Sequence, residues 1–336
     1  MKRTFNGTIE FYRYVFTFIV CLMHLYYEFW GKDDYLFRGG YISVDFFFIL
    51  SGYFLPSSCQ KHQSAYKYIL TRYAGMFFII ISACIIGVLI TSKGHVDEIP
   101  VLLITAIPEM VCLQMSGIFY PKFVGVMWYI SAMMIAAFFI SNLYHYHGNK
   151  RKFVELIAPA FVVGGYAYIY HNTGNLDSVG KDEAEILPLG LIRAFSGMSL
   201  GIILSHVTIS FGRKVNDFFQ IISLGGIFSL VFLQDHSKLD FLSLFLCPVL
   251  ILSTTNKESG LNRFTNKLGF YLSKYLGKQL TLSMYVYSAL TYLVMGIFVD
   301  FVSVGKLISA LIYIPILIIV GFIVCKLSSI LTPKIK

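Results

Sequence analysis

Apolar residues in this chain fall neither into strand-like alternation nor into one narrow helical stripe. They come in long blocks broken by short polar segments. A helix that crosses a bilayer needs about 20 mostly apolar residues. Such runs cover 11–30, 40–57, 72–92, 124–143, 153–171, 187–206, 218–234, 239–254, 281–299 and 307–327, with 40–57 and 239–254 the shortest. A further apolar stretch, 99–115, is shorter and carries Pro100, Pro108 and Glu109. Proline breaks the helical ladder, and lipid tolerates freed backbone groups only where protein or water covers them. This stretch is therefore expected to be re-entrant or to lie on the surface.

Composition agrees with the pattern. Of 336 residues, 57% are hydrophobic and only 13% charged, against about 25% charged in soluble domains, and the mean hydropathy is +0.70. The formal charge of +9 does not call for nucleic acid, because membrane proteins gather Lys and Arg in cytoplasmic loops. With ten crossings and the N-terminus inside, most basic residues face the cytoplasm, including Lys2, Arg3, Lys150–Lys152 and the long loop 255–280. A crossing at 99–115 would turn the downstream basic segments outward. The expected fold is thus an all-α polytopic membrane protein, a bundle of about ten transmembrane helices in one domain over 1–336. Both termini are cytoplasmic, and the multi-pass chain sits in the cell (inner or cytoplasmic) membrane. The six cysteines form no CxxC pair, and His145-x-His147 offers too few ligands, so no metal and no disulfide framework is expected. The outer loop near 172–185 is acidic, with Asp177, Asp182, Glu183 and Glu185. No internal repeat of the transporter kind is evident.

Charges within spans cost roughly 2.5–3.5 kcal/mol each on insertion scales and persist where they face protein or serve a pathway. Arg13, His24 and Asp45 are such residues. Arg13 and His24 are eleven residues apart. At about 100° per residue they share one helix face, separated by about 16 Å. Snorkelling accounts for Arg13 equally well, and a bond to a carbonyl or tyrosine accounts for a lone His24. Asp45 precedes Phe46–Leu50 and needs a partner, expected to be an imidazole or guanidinium on the first helix. A carboxylate so placed would orient His24 as a base.

These residues carry a resemblance. Arg13 and His24 fit the R-x10-H signature of the acyltransferase 3 family of integral membrane acyltransferases. Gly39-Gly40-Tyr41-Ile42-Ser43-Val44-Asp45-Phe46-Phe47-Phe48-Ile49-Leu50-Ser51-Gly52-Tyr53 is similar to its second-span block. Trp128-Tyr129-Ile130-Ser131-Ala132 resembles its W-[FY]-L-x-A motif. Arg193 before Gly197 and Gly201, and Leu276-Gly277-Lys278 with Thr281-Leu282-Ser283-Met284-Tyr285, resemble later blocks. Ser43 stands where a glycine is usual, Gly75 where a second arginine follows Arg72, and Ser288 where a late histidine often lies. The resemblance implies acyl-CoA, usually acetyl-CoA, as donor and a cell-envelope polysaccharide or glycolipid hydroxyl as acceptor.

Acyl transfer from a thioester needs a base, oxyanion donors and positive charge for the carrier's phosphates. His24 is the expected general base, with Asp45 as orienter. Arg13, Arg72 and Lys67 are expected to bind the acyl-CoA, since arginine's planar fork suits phosphate. Trp128, Tyr285 and Ser51 are candidates for substrate binding, although helix packing or interfacial anchoring explains them too. The expected partners are membrane lipid and an envelope or lipid-linked glycan, not nucleic acid. A transporter or flippase with a buried Arg/His/Asp proton relay is the rival reading.

Overall fold

The computed structural model describes residues 6–31, 36–119, 122–146, 148–177, 187–208, 211–233, 237–256, 259–277 and 279–331. Of the residues singled out above, Lys2, Arg3, His147, Asp182, Glu183, Glu185 and Lys278 lie outside them. Every regular element among the described residues is helical. The longer helices are, in chain order, α1 (Gly7–Trp30), α2 (Arg38–Cys59), α3 (Ala65–Thr91), α4 (Ile99–Met110), α5 (Gly125–Tyr146) and α6 (Lys150–Thr173). They continue with α7 (Leu189–Ser205), α8 (Arg213–Leu233), α9 (Ser243–Ser253), α10 (Gly260–Leu276), α11 (Leu280–Met295) and α12 (Lys306–Leu331). Seven are long and apolar enough to cross a membrane: α1, α2, α3, α5, α6, α8 and α12. The chain is a multi-pass membrane protein. The shorter α7, α9 and α11 coincide with the remaining apolar runs. A five-residue 3-10 turn, Arg38–Ile42, opens α2, and another, Lys238–Leu242, precedes α9, which is why those two runs read as short.

Contacts fix the direction of each helix. α2 runs against α1, with Phe46 on Phe16 at 4.3 Å between ring centroids and Gly40 beside Met23. α2 and α7 run parallel: Asp45 meets Arg193, Gly52 meets Met198, and Gly201 meets Ile49. α3 and α5 are antiparallel, since Arg72 reaches Met133 while Gly87 abuts Phe123 and Val124. α3 and α11 are parallel, joined by Gln279 to the Gly75 carbonyl and by Tyr287 to Ser82 at 2.7 Å. The chain between α3 and α5 therefore starts and finishes at the same end of the bundle.

That return contains α4, whose 12 residues give about 18 Å at 1.5 Å per residue, short of a bilayer core of about 30 Å. Pro100 lies in its first turn, where a missing N–H costs nothing. Glu109, only 2% exposed, accepts the consecutive backbone N–H groups of Lys122, Phe123 and Val124, the last two at 2.9 and 3.0 Å. The carboxylate is thereby satisfied by the loop leading into α5.

The segment expected as a long basic loop, 255–280, instead contains α10. Ser259 caps it by accepting the Asn262 N–H at 3.2 Å. Its buried stripe is small and polar: Asn262, Thr265, Gly269 and Ser273. Gly269 lies against the Gly7 carbonyl of α1. Asn6, Asn216 and Asn262 donate to the carbonyls of Ser253 and Thr254 at 2.7–3.1 Å, closing the C-terminus of α9. An apolar pattern does not reveal a helix whose packing face is polar.

Candidate active site

The stripe from Arg13 to His24 passes through Thr17 and Val20, at spacings of four, three and four residues. Thr17 and Val20 are buried, and Val20 belongs to the main apolar core with parts of α2, α3, α5, α7 and α11. Arg13 and His24 thus share a face turned to the bundle interior. The His24 ring is half-buried and makes no hydrogen bond to any described residue. The carboxylate within electrostatic reach of it is Asp177, just past the end of α6.

Asp45 does not orient His24, contrary to expectation. Its carboxylate accepts two bonds from Arg193 of α7, Nε to Oδ1 at 3.0 Å and Nη2 to Oδ2 at 2.6 Å, with both side chains 0% exposed. The reason is rotational. Asp45, Ile49 and Gly52 form one stripe of α2, and that stripe packs on α7, whereas Phe46, one position on, faces α1. Arg193 also donates to the Tyr41 carbonyl at 2.8 Å. Tyr41 in turn donates its hydroxyl to Asp240 at 2.7 Å, and Asp240 accepts the Leu176 N–H at 3.1 Å. This buried network ties α2, α7, the 3-10 turn before α9 and the segment after α6. The sequence contained the signal: Arg193 and Asp240 are also charges inside apolar runs, and opposite charges in lipid must find one another.

Two other expected residues, Ser51 and Arg72, converge with Tyr129 on one atom. Ser51 Oγ, Tyr129 Oη and Arg72 Nη2 all point at the Met133 sulfur, at 3.3, 3.6 and 3.5 Å. Arg72 also donates to the Tyr68 hydroxyl at 2.8 Å, and its guanidinium carbon lies 5.7 Å from that ring's centroid. Tyr285 stands edge-on to Tyr129 at 5.8 Å between centroids and donates to the Val126 carbonyl at 2.5 Å. Tyr129 is within electrostatic reach of Arg13 as well as Arg72. Arg13 holds Glu10 at 2.9 Å and leaves 28% of its side chain exposed. Tyr129 and Met133 were not expected as site residues. Tyr129 lay in the Trp128 motif, but nothing in the sequence marked Met133.

Two expected residues lie elsewhere. Lys67 is exposed and bonds Gln63 at 2.6 Å. Five residues before Arg72, it points about 140° away around α3, so it does not join Arg72. Trp128 is buried as a packing wedge, 6.2 Å from the Phe48 ring and against Gly190 of α7. Among the described residues no cluster of three or more His, Cys, Asp or Glu side chains could hold a metal ion.

No protein-family model, no curated protein and no solved structure matches this chain.

Proposed function

We propose that the chain is a membrane acyltransferase that moves an acyl group, acetyl by the family resemblance, from cytoplasmic acyl-CoA to a hydroxyl of a cell-envelope polysaccharide or glycolipid. The observation that carries this reading is the trio of donors on Met133. A thioether is a weak acceptor, whereas a guanidinium and two hydroxyls are strong donors. An anionic oxygen in that position is held by charge-assisted bonds roughly twice as strong as neutral ones. A phosphate supplies such an atom, as does the oxyanion that a thioester carbonyl becomes when the acceptor oxygen adds to it.

In this reading Arg13 and Arg72 hold the donor's phosphates, with Ser51, Tyr129 and Tyr285 along the path of the carrier arm. His24 takes the proton of the acceptor hydroxyl as its oxygen attacks the thioester carbonyl. The C–S bond then breaks, and the leaving thiolate receives that proton. Asp45 acts on the site only by fixing α7 against α2. Its bidentate bond to Arg193 also speaks against a titrating relay of the kind a transporter needs. The helix directions favour ten crossings with both termini on one side, and the basic loops make that side the cytoplasm, with α4 returning to the outer side from which it came.

Purified protein in lipid nanodiscs, given labelled acetyl-CoA and envelope glycan, is expected to form a base-labile acetyl ester. Arg72→Ala should raise the KM for acetyl-CoA about tenfold or more, the loss of a charged hydrogen bond. His24→Ala should bind donor and transfer nothing. An active His24→Ala protein rejects the base assignment. Stoichiometric binding of coenzyme A by the unaltered protein, without turnover, rejects the enzyme.

A further inference from the structure

A deep groove of about 1160 Å³ opens between α5 and α6, with α3, α7 and the turn after α4 completing its walls. α5 and α6 meet near their joined ends, where Tyr144 lies 5.6 Å from Phe153. α6 packs on α7 along one face, where Ser196 donates to the Phe161 carbonyl and a Cβ on Gly165 would meet Ser196, but only 22% of its apolar stretch is buried. The exposed lining residues Leu113, Phe139 and Leu143 are apolar, so the open side of the groove suits bilayer hydrocarbon.

Its chemistry excludes polar ligands. Three hydroxyl-bearing side chains line it, and two of them already donate to backbone carbonyls. Tyr73 donates to the Met110 carbonyl at 2.6 Å, and Ser196 donates to the carbonyls of Phe161 and Ile192 at 2.9 Å. Ser116 accepts the Ile118 N–H at 3.4 Å. The remaining lining is aliphatic, aromatic, sulfur-bearing or glycine. A sugar, nucleotide or carboxylate placed here would lose its hydration with nothing in return. The depth comes from α6, where a Cβ on Gly164 would meet no atom within 4 Å.

We infer that this groove is a binding site for the two acyl chains of one membrane phospholipid. A water takes up roughly 30 Å³ of liquid, and a methylene about as much. The groove thus holds on the order of 35–40 methylene-sized units, the content of two ordinary acyl chains. Hydrocarbon seated against its walls gains the dispersion contacts that an unfilled gap forfeits. The lipid lies behind α5: Met134 and Phe138 line the groove, while Tyr129 and Met133 face the donor cluster on the other side of the helix. A bound lipid therefore braces the wall that carries the Met133 cluster. The lipid site itself does not depend on the acyl-transfer reading, because it is read by retention and not by turnover.

The test is native mass spectrometry of protein exchanged from detergent into nanodiscs of a single phosphatidylglycerol and then released. One phospholipid per chain is expected to survive release. Gly164→Trp, which fills the groove, should lower that retention at least tenfold. Ile319→Trp, on an exposed face of α12, should leave it unchanged. In the unaltered protein, a phosphatidylglycerol with diazirine-bearing acyl chains should crosslink to peptides containing Phe138, Phe161 or Phe195. Crosslinks confined to other helices overturn the site, as does retention that Gly164→Trp leaves intact. Should Gly164→Trp fail to fold, the crosslinking map decides alone.

Discussion

Asp45 and Arg193 meet as fork to fork with neither side chain open to solvent. A pair so buried shows its energetic weight when one partner is removed, because the other is left charged in a medium that does not solvate it. Breaking such a pair costs roughly 3–5 kcal/mol, while replacing both members by apolar groups of similar size is often neutral. Asp45→Ala is accordingly expected to lower the thermal unfolding midpoint in detergent sharply, and Asp45→Leu with Arg193→Met to recover most of the loss. A double variant as unstable as the single one would show that the pair's geometry, and not its uncompensated charge, is what matters. At this scale the Arg13–His24 stripe was legible, since residues eleven apart on one helix are placed by the helix repeat alone. The partner of Asp45 was not, because it depends on which face of α2 meets which neighbour. Lys67 and Arg72 make the same point: both are basic residues at one end of α3, yet rotation about the helix axis sends only one into the bundle.

Helices in lipid gain little from apolar burial against one another, so close packing and interhelical hydrogen bonds hold them. The α2–α7 contact is built on that principle. A Cβ on Gly52 would lie 2.0 Å from the Met198 carbonyl oxygen, and one on Gly201 2.0 Å from that of Ile49. Backbone stands in the way in both cases, so the helices must separate to admit a side chain. Overpacking of this kind costs typically about 1–3 kcal/mol, and here the displacement also strains the Asp45–Arg193 fork. Gly52→Val and Gly201→Val are each expected to lower thermal stability, while Gly164→Val, with open space before it, should not. Unfolding monitored by fluorescence in detergent separates these cases. At the element level the apolar runs marked helix positions well, and α10 escaped because its packing face is polar and small.

On the scale of the whole bundle, neighbour directions make a topology that can be read chemically. All six native cysteines are buried, which leaves a low background for thiol labelling in intact cells. Cysteines placed at Lys93 and Val96, before α4, and at Lys122, after it, should react with an impermeant maleimide from the same outer side. One at Lys150 should react only after the membrane is permeabilised. Opposite labelling of the positions flanking α4 would make that helix a crossing and reverse everything downstream.

The sequence by itself determined that the chain is helical and built for lipid, where its apolar helices lie, and that Arg13 and His24 share a face. Composition and the 3.6-residue repeat are local properties, and they need no knowledge of neighbours. The tertiary structure alone decided that Asp45 belongs to Arg193, that Ser51, Tyr129 and Arg72 gather on Met133, and that a basic segment becomes a helix against α1. Each of those outcomes depends on how far one helix is turned and slid against the next. Glycine contacts and buried polar bonds between residues distant in the chain set that registry.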